Sequence, residues 1–122
     1  MFAVEPRSLY ERLGGEEGIA RVVDTFYDMV LADPRVAHFF ANTDMARQRR
    51  HQTLFLSFAT GGPNRYTGRS MRAAHQGLGI RPEHFDAIVE LLGRTLRQYG
   101  VSEADIQEVE ARLMTMRPEI VE

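Results

Sequence analysis

The chain has 122 residues, 17 acidic and 15 basic, a net charge of −2 and no cysteine. That length suits one domain, residues 1–122, able to take about two thirds of its unfolded surface out of water. The missing cysteines exclude disulfides, thiolate metal sites and cysteine nucleophiles, and the balanced charge gives nucleic acid no general footprint.

No charged leader with an apolar run opens the chain, and no apolar segment approaches the roughly 18 residues of a membrane span. No membrane partner is therefore expected, and the cytoplasm is the expected location. The helix faces left over for solvent are well charged, which favours a monomer or weak dimer. Every basic side chain is arginine, a compositional bias without a functional reading.

Residues 1–7 read as a loosely ordered extension. Ser8 and Glu11 have the spacing of a capping box and open a short helix that Gly14-Gly15 stops. A second helix follows from about Glu16, with Ile19, Val22, Val23, Phe26, Tyr27, Val30 and Leu31 on one stripe. Asp33-Pro34 ends it and can cap a brief turn, and Val36, Phe39 and Phe40 supply an apolar corner.

Asn42-Thr43-Asp44 is a helix start, and the helix runs to the break at Gly61-Gly62-Pro63. Its apolar positions are Met45, Phe55, Leu56 and Ala59; one turn earlier the same face carries Gln48 and Gln52. Residues 60–69 read as irregular chain. A short helix then leads to His75, closed by Gly77 and Gly79. Pro82 at the first helical position begins a long helix with Phe85, Ile88, Val89, Leu92, Leu96 and Tyr99 inward, stopped by Gly100. Ser102 caps the last helix, Val101 and Ile106 fit a hydrophobic staple, and Ile106, Val109, Leu113 and Met116 form its apolar face; Pro118 marks where it frays. No segment alternates as a strand does, so the fold is expected to be all-α.

Buried polar groups are costly unless they meet a partner. Tyr27 on an apolar stripe and the two glutamines on another could satisfy one another, or donate to something bound between them. His75 heads its own helix toward the interior, where a lone histidine is more often an ordinary core or surface residue. The four histidines offer no His-x-x-x-His or HExxH spacing. A single histidine beneath a porphyrin needs none. Nucleophile elbows, phosphate loops and dinucleotide fingerprints are absent, and no paired carboxylates fall on an apolar face.

Taken together, Tyr10 to Gly15, Phe26-Tyr27, Asp33-Pro34, Phe39-Phe40, Gln48 with Gln52, Gly61-Gly62-Pro63, Tyr66-Thr67-Gly68 and Ala74 to Ile80 resemble, in order and spacing, the first group of truncated haemoglobins. The resemblance runs from about Tyr10 to Ile120 and implies a globin-like two-over-two helical sandwich. It implies haem b (iron protoporphyrin IX) as cofactor, with His75 as proximal ligand through Nε2 and Phe40 wedged against the porphyrin. Tyr27 matches the tyrosine that donates to bound dioxygen, and Gln48 and Gln52 complete that network. Phe55 and Leu56 match positions bordering an apolar gas tunnel; one of them is a phenylalanine gate in some members, which Leu56 puts in doubt here. Tyr66 lies in a matching block and joins the cofactor-binding set.

Some members coordinate iron on the distal side at the position of His51, so five- and six-coordinate resting states both stay open. The covalent haem link made by some members has no counterpart, because no histidine follows His84. Arg47, Arg50 and Arg72 are candidates for the haem propionates, since guanidinium pairs well with carboxylate. The activity implied is reversible binding of dioxygen, with carbon monoxide and nitric oxide as further ligands, for oxygen transport or storage. Gas sensing and oxidation of nitric oxide are the alternatives. The oxidation would need an external reductase, because the chain has no flavin or nicotinamide module. A haem-free interaction protein is a third reading, opposed by the joint presence of Tyr27, Gln48, Gln52 and His75.

Overall fold

A computed structural model describes residues 7–65 and 70–122. Most of the expected N-terminal extension, and all of the Tyr66-Thr67-Gly68 block, lie outside the described residues. Those residues form α1 (Leu9–Arg12), α2 (Gly15–Ala32), a 3-10 turn (Ala37–Phe40), α3 (Met45–Ala59), α4 (Met71–His75), α5 (Pro82–Gln98), α6 (Glu103–Met114) and α7 (Arg117–Ile120), with no strand among them.

The helix starts follow local chemistry. The Ser8, Asp44, Ser70 and Ser102 side chains each accept from the backbone N–H three residues on, answering a donor that the helix leaves unpaired. Pro82 stands in the first turn of α5, where its missing N–H costs nothing. At that same end the Arg81 N–H donates to His84 Nδ1 at 3.0 Å.

The two long stripes do most of the packing. α2 lies against both α3 and α5, and α5 against α6, which gives two layers of paired helices; α4 rests on α7. Val23, Val30, Val36, Thr95 and Ile106 are the largest completely buried side chains. A small cavity of about 20 Å³ remains between Leu13, Ile19, Val22, Leu56, Thr60, Leu92, Leu96 and Val109. No helix among the described residues is long and apolar enough to cross a membrane.

Three expectations are corrected. Tyr99 is not inward: it is 43 % exposed, shares a hydrogen bond with Thr25 at 2.6 Å and donates to the Arg21 carbonyl at 3.1 Å. Leu31, at the open end of α2, is also exposed. The buried face of α5 instead takes in Ala87, Leu91 and Thr95. Thr95 hides its hydroxyl by donating to the Leu91 carbonyl at 2.8 Å, which lets a polar residue sit on a core face. Pro118, finally, does not fray the last long helix. α6 ends at Met114 and Pro118 stands in the first turn of the separate α7.

Candidate functional site

Tyr27 is placed by the stripe of α2. Its neighbours Val23, Phe26 and Val30 point into the core, and the ring follows them until only 3 % of the residue is exposed. The Phe26 ring meets it edge-on at 5.1 Å and the Phe40 ring at 5.6 Å. Phe40 comes from the end of the 3-10 turn, so that turn delivers an apolar wall to the tyrosine.

From α3, Gln48 Nε2 donates to the Tyr27 hydroxyl oxygen at 3.0 Å. The hydroxyl is thus an acceptor in its one hydrogen bond among the described residues, and its own proton remains available. Burial pushes the phenol up to about 12, against the lowering effects of the Gln48 bond and the Arg49 charge. At neutral pH Tyr27 is a neutral, buried donor.

Gln52 follows one turn later on the same side of α3 and is half-buried, with no hydrogen-bond partner among the described residues. His51, also half-buried, stands at the edge of this face. Phe55 continues the face, half-buried, whereas Leu56 turns into the core and borders the small cavity.

His75 is the last residue of α4 and is half-buried. Its Nδ1 lies 2.7 Å from the Met71 carbonyl. A carbonyl can only accept, so the proton belongs on Nδ1 and the Nε2 lone pair is free. This is the arrangement that a histidine ligand needs, with one nitrogen oriented by the backbone and the other presented outward. No group of three or more His, Cys, Asp or Glu among the described residues could hold a metal ion. Metal binding here would need most of its ligands from a macrocycle, and the donor set fits haem.

The arginines divide. Arg47 and Arg72 are exposed on α3 and α4. Arg50 lines an open groove with Glu16, Glu17, Asp24 and Thr53. At about 100° per residue it lies across the helix from Gln48 and Gln52, so the structure does not bring it to the tyrosine. Tyr66 is outside the described residues.

Two contributors have no signal in the side-chain pattern. Arg49 places its guanidinium 6.0 Å from the Tyr27 ring centre. Asp28 at 2.9 Å and Asp24 at 3.4 Å hold it there. The Met71 carbonyl orients His75, and only the four-residue helical spacing hints at it.

A family model, bacterial-like globin, matches residues 8–122. A group 1 truncated hemoglobin of Tetrahymena pyriformis is 50 % identical over 104 residues, covering 85 % of this chain and 86 % of that protein. The group 1 truncated hemoglobin GlbN of Synechocystis is 51 % identical over 108 residues, covering 85 % and 87 %. Among solved structures, the Tetrahymena pyriformis truncated hemoglobin in its Fe(III) form superimposes with a TM-score of 0.92 at 45 % identity, covering 94 % of this chain and 98 % of that one. The fold and the paired sequence thus define a globin. The chain belongs to the bacterial-like globins and, within them, to the group 1 truncated haemoglobins. Membership implies a haem-binding globin that takes small gases.

Proposed function

We propose that this protein binds haem b with His75 Nε2 as the axial ligand and takes up dioxygen reversibly beside Tyr27 and Gln48, for oxygen binding, storage or transport. Haem, when bound, supplies an iron that takes diatomic gases reversibly. The observation that carries the reading is the direction of one hydrogen bond. Gln48 donates to Tyr27, so the buried tyrosine keeps its O–H for a ligand. Phe40 gives the cofactor an apolar neighbour, and Phe55 and Gln52 extend the wall opposite His75. Arg47 and Arg72 are the arginines we assign to the propionates.

Dioxygen held by a ferrous haem would carry negative charge on its outer atom, and carbon monoxide would carry little. A hydrogen bond to a charged acceptor is worth about 1.5–3 kcal/mol, which is at least about a tenfold factor in a rate. Tyr27→Phe is therefore expected to speed dioxygen release at least tenfold and to leave carbon monoxide release nearly unchanged. Stopped-flow measurements on the ferrous protein check this, and an unchanged dioxygen rate would remove Tyr27 from the role. The ferric absorption spectrum beside that of His51→Ala reads the coordination number, and no Soret band after haem addition would end the haem reading.

The same donor, by retaining dioxygen, suits oxidation of nitric oxide to nitrate as a second reading. That reaction needs an external reductase, and turnover on adding one is its test.

A further inference from the structure

Helix α4 has five residues, far too few to hold its shape alone, yet it must fix the direction of an imidazole. From its own side the Ser70 hydroxyl accepts from the Ala73 N–H at 3.2 Å, and the Met71 carbonyl fixes the His75 ring. The other side is held from a distant part of the sequence. The N–H of Gly77 donates to one carboxylate oxygen of Glu122. The N–H of Gly79 donates to the other oxygen at 2.9 Å. The Glu122 N–H in turn donates to the Ile80 carbonyl at 2.8 Å.

Gly77 and Gly79 have φ of 81° and 72°, in the left-handed region that glycine adopts freely. A Cβ at either would meet nothing within 4 Å. These glycines serve the backbone conformation rather than close packing. Bending the loop this way turns alternate N–H groups toward one point, an anion-holding concavity, and Glu122 fills it. At the start of α7, Arg117 sets its guanidinium 5.8 Å from the Phe85 ring centre, which ties the segment bearing Glu122 to the long helix α5.

We propose that Glu122 is a positioning residue for His75. Its carboxylate clamps the Gly77–Gly79 loop and so holds α4, and the imidazole on it, against the cofactor. The proposal rests on the reading of His75 as axial ligand. Glu122 touches no reacting atom and acts only through the loop.

The test compares Glu122→Ala and Glu122→Gln with the wild type. Glutamine keeps the shape but presents one acceptor oxygen in place of two, so a graded effect is expected. Transfer of haem to an excess of an apoglobin acceptor should be about tenfold faster in Glu122→Ala and about threefold faster in Glu122→Gln. The iron–histidine stretching band of the ferrous unligated protein should shift in the same order. Before haem is added, amide exchange at Gly77 and Gly79 should quicken in Glu122→Ala while the far-UV circular dichroism stays that of the wild type.

A wild-type Soret band with unchanged haem transfer and an unmoved band in Glu122→Ala would overturn the clamp and leave the haem reading standing. A lower melting temperature with an unmoved iron–histidine band would also overturn it, since that is stability alone. A wild type that takes up no haem would overturn both, and its spectrum tells the two failures apart.

Discussion

Tyr27 is buried like a core residue and, in the proposed role, remains a proton donor, and a single cause secures both. Burial disfavours the phenolate and raises the phenol to about 12, compared with an unfolded value near 10. The folded state therefore holds this proton more tightly than the unfolded chain between those values. Stability from this source is complete below about pH 10 and is lost as pH rises through 12. The whole loss is on the order of 2–3 kcal/mol. Urea midpoints followed from pH 9 to 12 should fall more steeply for the wild type than for Tyr27→Phe; equal slopes would show that the phenol ionises without resistance. At this scale Tyr27, Gln48 and His75 were legible as candidates, because a polar residue on an apolar stripe or at the end of a short helix stands out against its neighbours. Arg49, the Met71 carbonyl and Glu122 were not. A charged residue reads as a solvated face, a carbonyl has no side-chain identity, and Glu122 acts on a glycine 45 residues away.

Among the long helices, α3 buries few residues for its fifteen. Its buried residues are Thr53, Leu56 and Ser57, two of them polar, because part of its face is given over to Gln48 and Gln52. Thr53 returns its hydroxyl to the Arg49 carbonyl at 2.9 Å, whereas the Ser57 hydroxyl is buried without a hydrogen-bond partner among the described residues. Such a helix leans on its ends. The Asp44 carboxylate accepts from the Arg47 N–H at 3.2 Å, and an Arg112 guanidinium from α6 donates to the Ala59 carbonyl in the last turn. Asp44→Ala is expected to cost about 1 kcal/mol, and Asp44→Asn, which also caps well, a few tenths. Chemical denaturation of the three proteins decides it; equal midpoints would mean that the Arg112 end and the packing on α2 carry α3 alone. Helix starts of this kind could be read from sequence because caps are local chemistry. The break between α6 and α7 could not, since the apolar period runs on through Met116.

For the whole molecule, the four long helices showed most of their apolar faces in the sequence, but not which face meets which. That choice depends on volumes across three or four helices at once, and here it leaves a gap. Ion pairs do not settle the arrangement. Arg12 reaches Asp105 at 3.1 Å and Glu108 at 3.5 Å to tie α1 to α6, but partly exposed pairs of this kind contribute less than about 1 kcal/mol. The gap is the cavity of about 20 Å³ between α2, α3, α5 and α6. Its one polar lining residue, Thr60, already donates to the Leu56 carbonyl at 2.6 Å, which leaves fewer polar partners than a buried water needs. Val109 borders it with 4 % exposure. Val109→Ile adds one methylene, worth about 0.8 kcal/mol when buried, provided that the neighbours keep their rotamers. A rise of about 2–4 °C in melting temperature follows for a chain of this length. Leu56 stands at the same cavity and on the helix that carries Gln48. Gas association measured by flash photolysis on the same variant therefore separates two uses of the space. Slower association with raised stability makes the cavity part of the ligand's route. Raised stability with unchanged association makes it a packing gap. A lowered melting temperature would show that the lining residues cannot accept even one methylene.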